Sequence, residues 1–263
     1  MKLPAFFIAH GSPLLVLEDN DYTRFLQRLG SDLGKPRGIV IFSAHWDSPE
    51  QLITVDAQHE TQHDFYGFPE EMYQLSYPAP GDPALSRRIS ELFKNSNLPH
   101  QPVLGRGLDH GAWVILRTMF PQADIPVVAL SVDSLRSPEE QYNIGRMLAP
   151  LREEGVLLIG SGGLVHNLRL LKQKDQPEPW ALDFDGWIAE RLAAWDLSSL
   201  YAYEKQAPHV REAVPTYGKE HFIPLFYVMG AADEGRRAQL MIQAYQYGTL
   251  SLNCWMFDKY RNE

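Results

Sequence analysis

The sequence predicts an α/β fold, with a mostly parallel or mixed central sheet covered by helices on both faces. Short, near-continuous apolar runs such as LPAFFIA at 3–9 and GIVIFSA at 38–44 read as strands buried on both faces. Longer amphipathic stretches alternate with them, and that alternation places helices above and below a sheet. With 263 residues, 44% of them hydrophobic, the chain is long and apolar enough for a core of this kind.

The elements follow in order. The first strand, 3–9, runs straight into His10, so the apolar start reads as a strand and not as a signal peptide. A helix is expected over 21–33, then strands at 38–44 and 51–55. The segment 56–82 is long, turn-rich and aromatic, with His59, His63, Phe65, Tyr66, Phe68, Tyr73 and Tyr77. Loops of this length in compact domains commonly act as lids or binding loops. Helices are expected over 83–95 and 111–120, the first opened by Pro83 at a position where a helix tolerates proline. A strand at 126–132 precedes a helix over 138–150. Its start, Ser137-Pro138-Glu139-Glu140, puts carboxylates at the positive end of the dipole. A strand at 155–160, a polar surface loop at 172–179, helices over 180–195 and 236–247, and a last strand at 251–257 complete the sheet. No internal repeat or low-complexity linker interrupts the chain, so residues 1–263 read as one domain.

Charge and cysteine content narrow the function classes. A formal charge of −9 argues against nucleic acid as a partner, since such proteins present a basic face. It leaves an anionic small substrate open. No apolar run is long enough to span a membrane. A single cysteine, Cys254, forbids an internal disulfide and a cysteine-based zinc site, and it fits a reducing, cytoplasmic setting. The oligomeric state is left open.

Four histidines carry the chemistry. His10 ends the first strand ahead of Gly11-Ser12-Pro13, and His45 repeats that arrangement after the second strand. In open α/β sheets ligands bind outside the carboxyl ends of the strands, where histidines far apart in sequence converge. Imidazole is the commonest metal ligand and the usual proton shuttle near neutral pH. His166 follows Gly160-Ser161-Gly162-Gly163, which lacks a phosphate-loop pattern, so these glycines let backbone crowd a site that His166 enters. In Glu220-His221 a carboxylate and an imidazole are adjacent, and either completes a metal site. His110 opens the helix at 111–120, with Asp109 suited to its N-cap; its plainer reading is a capping-region residue. His59 and His63 would share a helix face only if their segment were helical, and His100 and His209, each beside a proline, read as surface turn residues. Ser12 and Ser161 are possible nucleophiles without a nucleophile-elbow motif.

HGSP at 10–13, SAHW at 43–46, DHGAW at 109–113, GSGGLVHNLR at 160–169 and EHFIPL at 220–225 together resemble one family. It is the class III, LigB-like extradiol aromatic ring-opening dioxygenases, in the branch similar to DOPA 4,5-dioxygenases. The resemblance implies a three-layer α/β/α sandwich and one divalent metal, Fe(II) or Zn(II), near the carboxyl ends of the strands. By motif, His10, His45 and His221 would be metal ligands, with Glu220 the alternative to His221. His166 would be an acid/base, close enough to act as a fourth ligand, and His110 would line the pocket. The implied substrates are O2 and a catechol, DOPA or a related compound, opened to a muconic semialdehyde. Arg24, Arg106 and Arg169 are candidates by charge for a substrate carboxylate. Two other classes fit the same histidines: a zinc hydrolase using metal-bound hydroxide, and a non-catalytic binding protein with a vestigial pocket.

Overall fold

A computed structural model describes residues 2–174 and 176–258. Eight strands form one mixed sheet: β1 (Ala5–Ala9), β2 (Gly38–Asp47), β3 (Gln51–Thr54), β4 (His100–Val103), β5 (Val127–Val132), β6 (Val156–Gly162), β7 (Ala238–Gln246) and β8 (Leu250–Phe257). Their order is β4-β3-β5-β2-β6-β1-β8-β7. The centre, β5-β2-β6-β1, is parallel. On one flank β3 runs antiparallel to β5, with β4 parallel to β3; on the other β8 is antiparallel to β1 and β7 to β8.

The main helices are α1 (Asp21–Leu33), α2 (Glu70–Gln74), α3 (Pro83–Asn95), α4 (His110–Met119), α5 (Pro138–Met147), α6 (Ala149–Glu153) and α7 (Pro179–Ala193). Four shorter ones follow: α8 (Leu197–Tyr201), α9 (Tyr203–Gln206), α10 (Val210–Ala213) and α11 (Pro224–Ala231). Strand side chains alternate between two apolar layers, as a period of two requires. Phe6, Ile8, Ile39 and Ile41 pack with α1 and α4. Phe7, Val40 and Phe42 pack with α3, α5, α7 and α11 on the opposite face. The expected three-layer sandwich is therefore present. Among the described residues no helix is long and apolar enough to cross a membrane.

Local chemistry explains where the helices begin. Asn20 caps α1 through a reciprocal bond pair with Thr23, and Ser137 does the same for α5 with Glu140. Asp109 caps α4 by accepting from the N–H of Ala112. Four expectations need correction. The stretch expected as a helix over 236–247 holds strand β7, Ala238–Gln246, because Tyr247 and Gly248, at φ 53° and 68°, make the tight turn that pairs β7 with β8. Strand β2 continues through His45, which lies inside the strand and not after it. Strand β6 likewise runs past its expected end at 160, through Ser161 and Gly162. His100 opens the edge strand β4.

Candidate metal centre

His10 leaves β1 at the carboxyl end of the parallel strands, buried to 1% exposure. Its backbone N–H donates to the carbonyl of Gly162 on neighbouring β6, which holds it in line with the sheet. His45 reaches the same point from β2, across a register shift between Phe42 and Asp47. His221 arrives from a 3-10 turn, Lys219–His221, packed on β6. That approach needs Gly162, since a Cβ there would lie 2.0 Å from the His221 carbonyl oxygen. The glycines of this strand thus let a backbone close in, although the backbone is that of His221 rather than of His166.

The three rings meet through their Nε2 atoms, His45 lying 3.0 Å from His10 and 3.3 Å from His221. Nitrogen–metal bonds of about 2.0–2.1 Å at angles of roughly 90–105° place neighbouring nitrogens about 3.0–3.3 Å apart, so the spacing suits one shared ion. Hydrogen bonding on the far side of each ring fixes which nitrogen is free. Ser161 donates its hydroxyl proton to the carbonyl of Gly111, so its Oγ accepts from Nδ1–H of His10 at 2.9 Å. Nδ1–H of His221 donates to Glu220 Oε1 at 3.0 Å. Both rings therefore direct a bare Nε2 inward, the carboxylate- or hydroxyl-backed arrangement usual for metal-bound histidine. Burial, reinforced by the neighbouring histidines, holds His10 and His221 well below the usual imidazole pKa, and it takes His45 down to about 3. All three are neutral near pH 7, as ligation requires.

Two more histidines complete the cluster. His166 stacks flat on His221, with centroids 3.5 Å apart and planes 4° from parallel. It stands outside the group of three whose ligand atoms converge. Burial, with His110 nearby, lowers its pKa to about 4. His110, the first residue of α4, has its ring 3.9 Å from that of His45. Phe65, from the 56–82 segment, packs edge-on against His110 at 5.8 Å. Behind the cluster, Ser43 Oγ donates to Asp109 at 2.6 Å, and Arg106 joins Asp109 to the carbonyl of His45 while lying over Trp46.

The remaining sequence candidates lie elsewhere or do other work. The 56–82 segment is not helical around His59 and His63, which pair instead with the carbonyls of Val127 and Leu75. Glu220 stands behind His221. Ser12 caps the 3-10 turn Pro13–Leu17, and Ser161 serves His10. Arg24 is engaged at the surface by Asp19 and Asp21, and Arg169 lies over Tyr217. Sequence reasoning missed Asp64, which touches both His45 and His110. Its only sequence signal was its place in the aromatic segment.

A sandwich of this topology with a histidine cluster at the strand ends defines a metal-dependent class of α/β enzymes. Residues 4–254 match the family described as the catalytic LigB subunit of aromatic ring-opening dioxygenase, and the chain belongs to that family. It is 40% identical over 256 residues to a 4,5-DOPA dioxygenase extradiol of Escherichia coli strain K12, covering 95% of this chain and 93% of that one. It is 39% identical over 261 residues to the 4,5-DOPA dioxygenase extradiol of Beta vulgaris, covering 96% and 95%. A crystal structure of an uncharacterised Escherichia coli K12 protein superposes with a TM-score of 0.81 at 36% identity, covering 97% of this chain and all of that one. The chain is thus an extradiol dioxygenase, and nothing favours the hydrolase or the binding protein.

Proposed function

We propose that the chain opens the ring of a catechol bearing an amino-acid side chain, DOPA or a close relative, with O2 and one Fe(II) held by His10, His45 and His221. The convergence of three neutral imidazoles through their Nε2 atoms, with His10 and His221 backed by Ser161 and Glu220, carries this reading. The substrate class is supported by the names of the relatives. When bound, Fe(II) supplies Lewis acidity toward the catechol oxygens and the redox chemistry that O2 needs, which Zn(II) does not supply.

The chain's own residues do the rest. His10 and His221, nearly inaccessible, fix two ligand positions, while His45 is partly exposed and marks the side open to substrate. His166 is neutral at pH 7 and accepts a catechol hydroxyl proton on the ring that stacks on His221. His110 lines the approach and hydrogen-bonds the second catechol oxygen. Phe65 supplies an aromatic edge beside it and keeps water from the ring. The test is oxygen uptake by protein loaded anaerobically with Fe(II) and given DOPA and a panel of simple catechols. Metal-dependent uptake with formation of a yellow semialdehyde or its cyclised product is expected. Uptake no greater than that of the metal-free protein on every catechol contradicts the reading.

A further inference from the structure

Asp64 sits in the 56–82 segment, immediately before Phe65. Its Oδ1 accepts the backbone N–H of His110 at 2.8 Å, a donor that the start of α4 leaves without a helical partner. The same oxygen is 3.0 Å from Nδ1 of the His110 ring, although the ring N–H is not aligned with it. The other oxygen is 3.7 Å from Nδ1 of His45. One carboxylate from a loop thus touches the backbone and ring of His110 and the back of a proposed metal ligand.

A carboxylate only accepts hydrogen bonds, so this neighbour selects the ring form with the proton on Nδ1. Nε2 is then the acceptor of the His110 ring. Hydrogen bonds of this kind are often poorly aligned in ligand-free sites and tighten when substrate binds. Resting on the dioxygenase reading above, we propose that Asp64 is a positioning residue for ring opening. It holds His110 as the Nδ1–H tautomer, with Nε2 available to a catechol hydroxyl, and it fixes the aromatic edge of Phe65 against the metal centre. The same residues do not suit a second metal ion. A backbone N–H already points at Asp64 Oδ1, and the Arg106 guanidinium donates to the carbonyl of His45 close by.

Asp64→Asn tests this, because the amide keeps the shape and still accepts the backbone N–H, but it lacks the negative charge that favours a proton on the facing Nδ1. The ring-nitrogen chemical shifts of His110 are read in Zn(II)-loaded protein saturated with DOPA. The wild type should show Nδ1–H, and the variant a shift toward Nε2–H. With Fe(II), the variant should keep its iron and its KM for DOPA while kcat falls by about 10–100-fold, the usual effect of losing an outer hydrogen-bond partner. An Nε2–H ring in the wild type, kcat within about twofold in the variant, iron loss in the variant, or a second ion per wild-type chain would each overturn the proposal. Wild-type protein inactive on every catechol would end the dioxygenase reading, while the tautomer measurement would still decide the role of Asp64.

Discussion

Neutral imidazoles that face one another through bare nitrogens repel unless a cation lies among them. His10 and His221 both carry their proton on Nδ1, and a single ring proton on His45 serves only one of its two Nε2 contacts well. His10→Ala, His45→Ala and His221→Ala are each expected to weaken metal binding by more than about 100-fold, beyond the effect of losing an outer partner. His166→Gln should keep the metal and lower kcat by roughly 10²- to 10⁴-fold, the usual contribution of an acid/base. Metal titration and steady-state rates on the same preparations separate the two outcomes. Metal loss in His166→Gln would make that residue a ligand. These histidines stand out in the sequence because each follows an apolar run or glycines or sits at a turn, although His45 lies inside β2. The choice between Glu220 and His221 was not legible there. Neighbours in a 3-10 turn point about a third of a turn apart, and only the packing on β6 shows which faces inward. Asp64 was illegible because an irregular segment has no period, and its partner His110 is 46 positions away.

At the scale of elements, most strands and the helices α1, α3, α4, α5 and α7 were readable from apolar runs, caps and proline positions. Strand β7 was not. Leu240, Met241, Ala244 and Tyr245 satisfy a helical spacing as well as a strand, and pairing with β8 through the Tyr247-Gly248 turn decides between them. Helix α11 was missed because it is apolar all round and buried, leaving no polar face to give it a period. The tight fit between β6 and the His221 turn gives one prediction. Gly162→Ala should cost about 1–3 kcal/mol of stability, as overpacking does, and weaken metal binding by displacing His221. Denaturant melts and metal titration check it; a variant with normal affinity would show that the turn relaxes freely. A second prediction concerns Asp185 of α7, buried against β7 and β8, where Tyr245 donates to it. Burial raises its pKa from 3.8 to about 6. Between those values the folded state holds more protons than the unfolded one, so stability falls as pH rises through the window and is level above it. Across that window the loss amounts to about 3 kcal/mol. Asp185→Asn should remove that fall, and parallel melts of both proteins across the window would show it. Equal slopes for the two proteins would contradict it.

At the scale of the whole molecule, the sheet order brings together residues spread over most of the chain. β1, β2 and β6 are adjacent and parallel, so His10, His45 and the Gly162 platform for His221 meet at one end. Buried Arg152 ties the far end together, donating to the carbonyls of Leu3 and Ala231 and to Asp258. The site is therefore a product of topology more than of any local motif. The most direct measurement of the central claim is the fate of oxygen. Fe(II)-loaded protein is given DOPA under isotopically heavy O2 in ordinary water, and the product is reduced at once to trap its aldehyde and analysed by mass. A ring-opened product carrying both heavy oxygen atoms is the predicted result. A product carrying oxygen from water alone, or DOPA recovered unchanged, would contradict it.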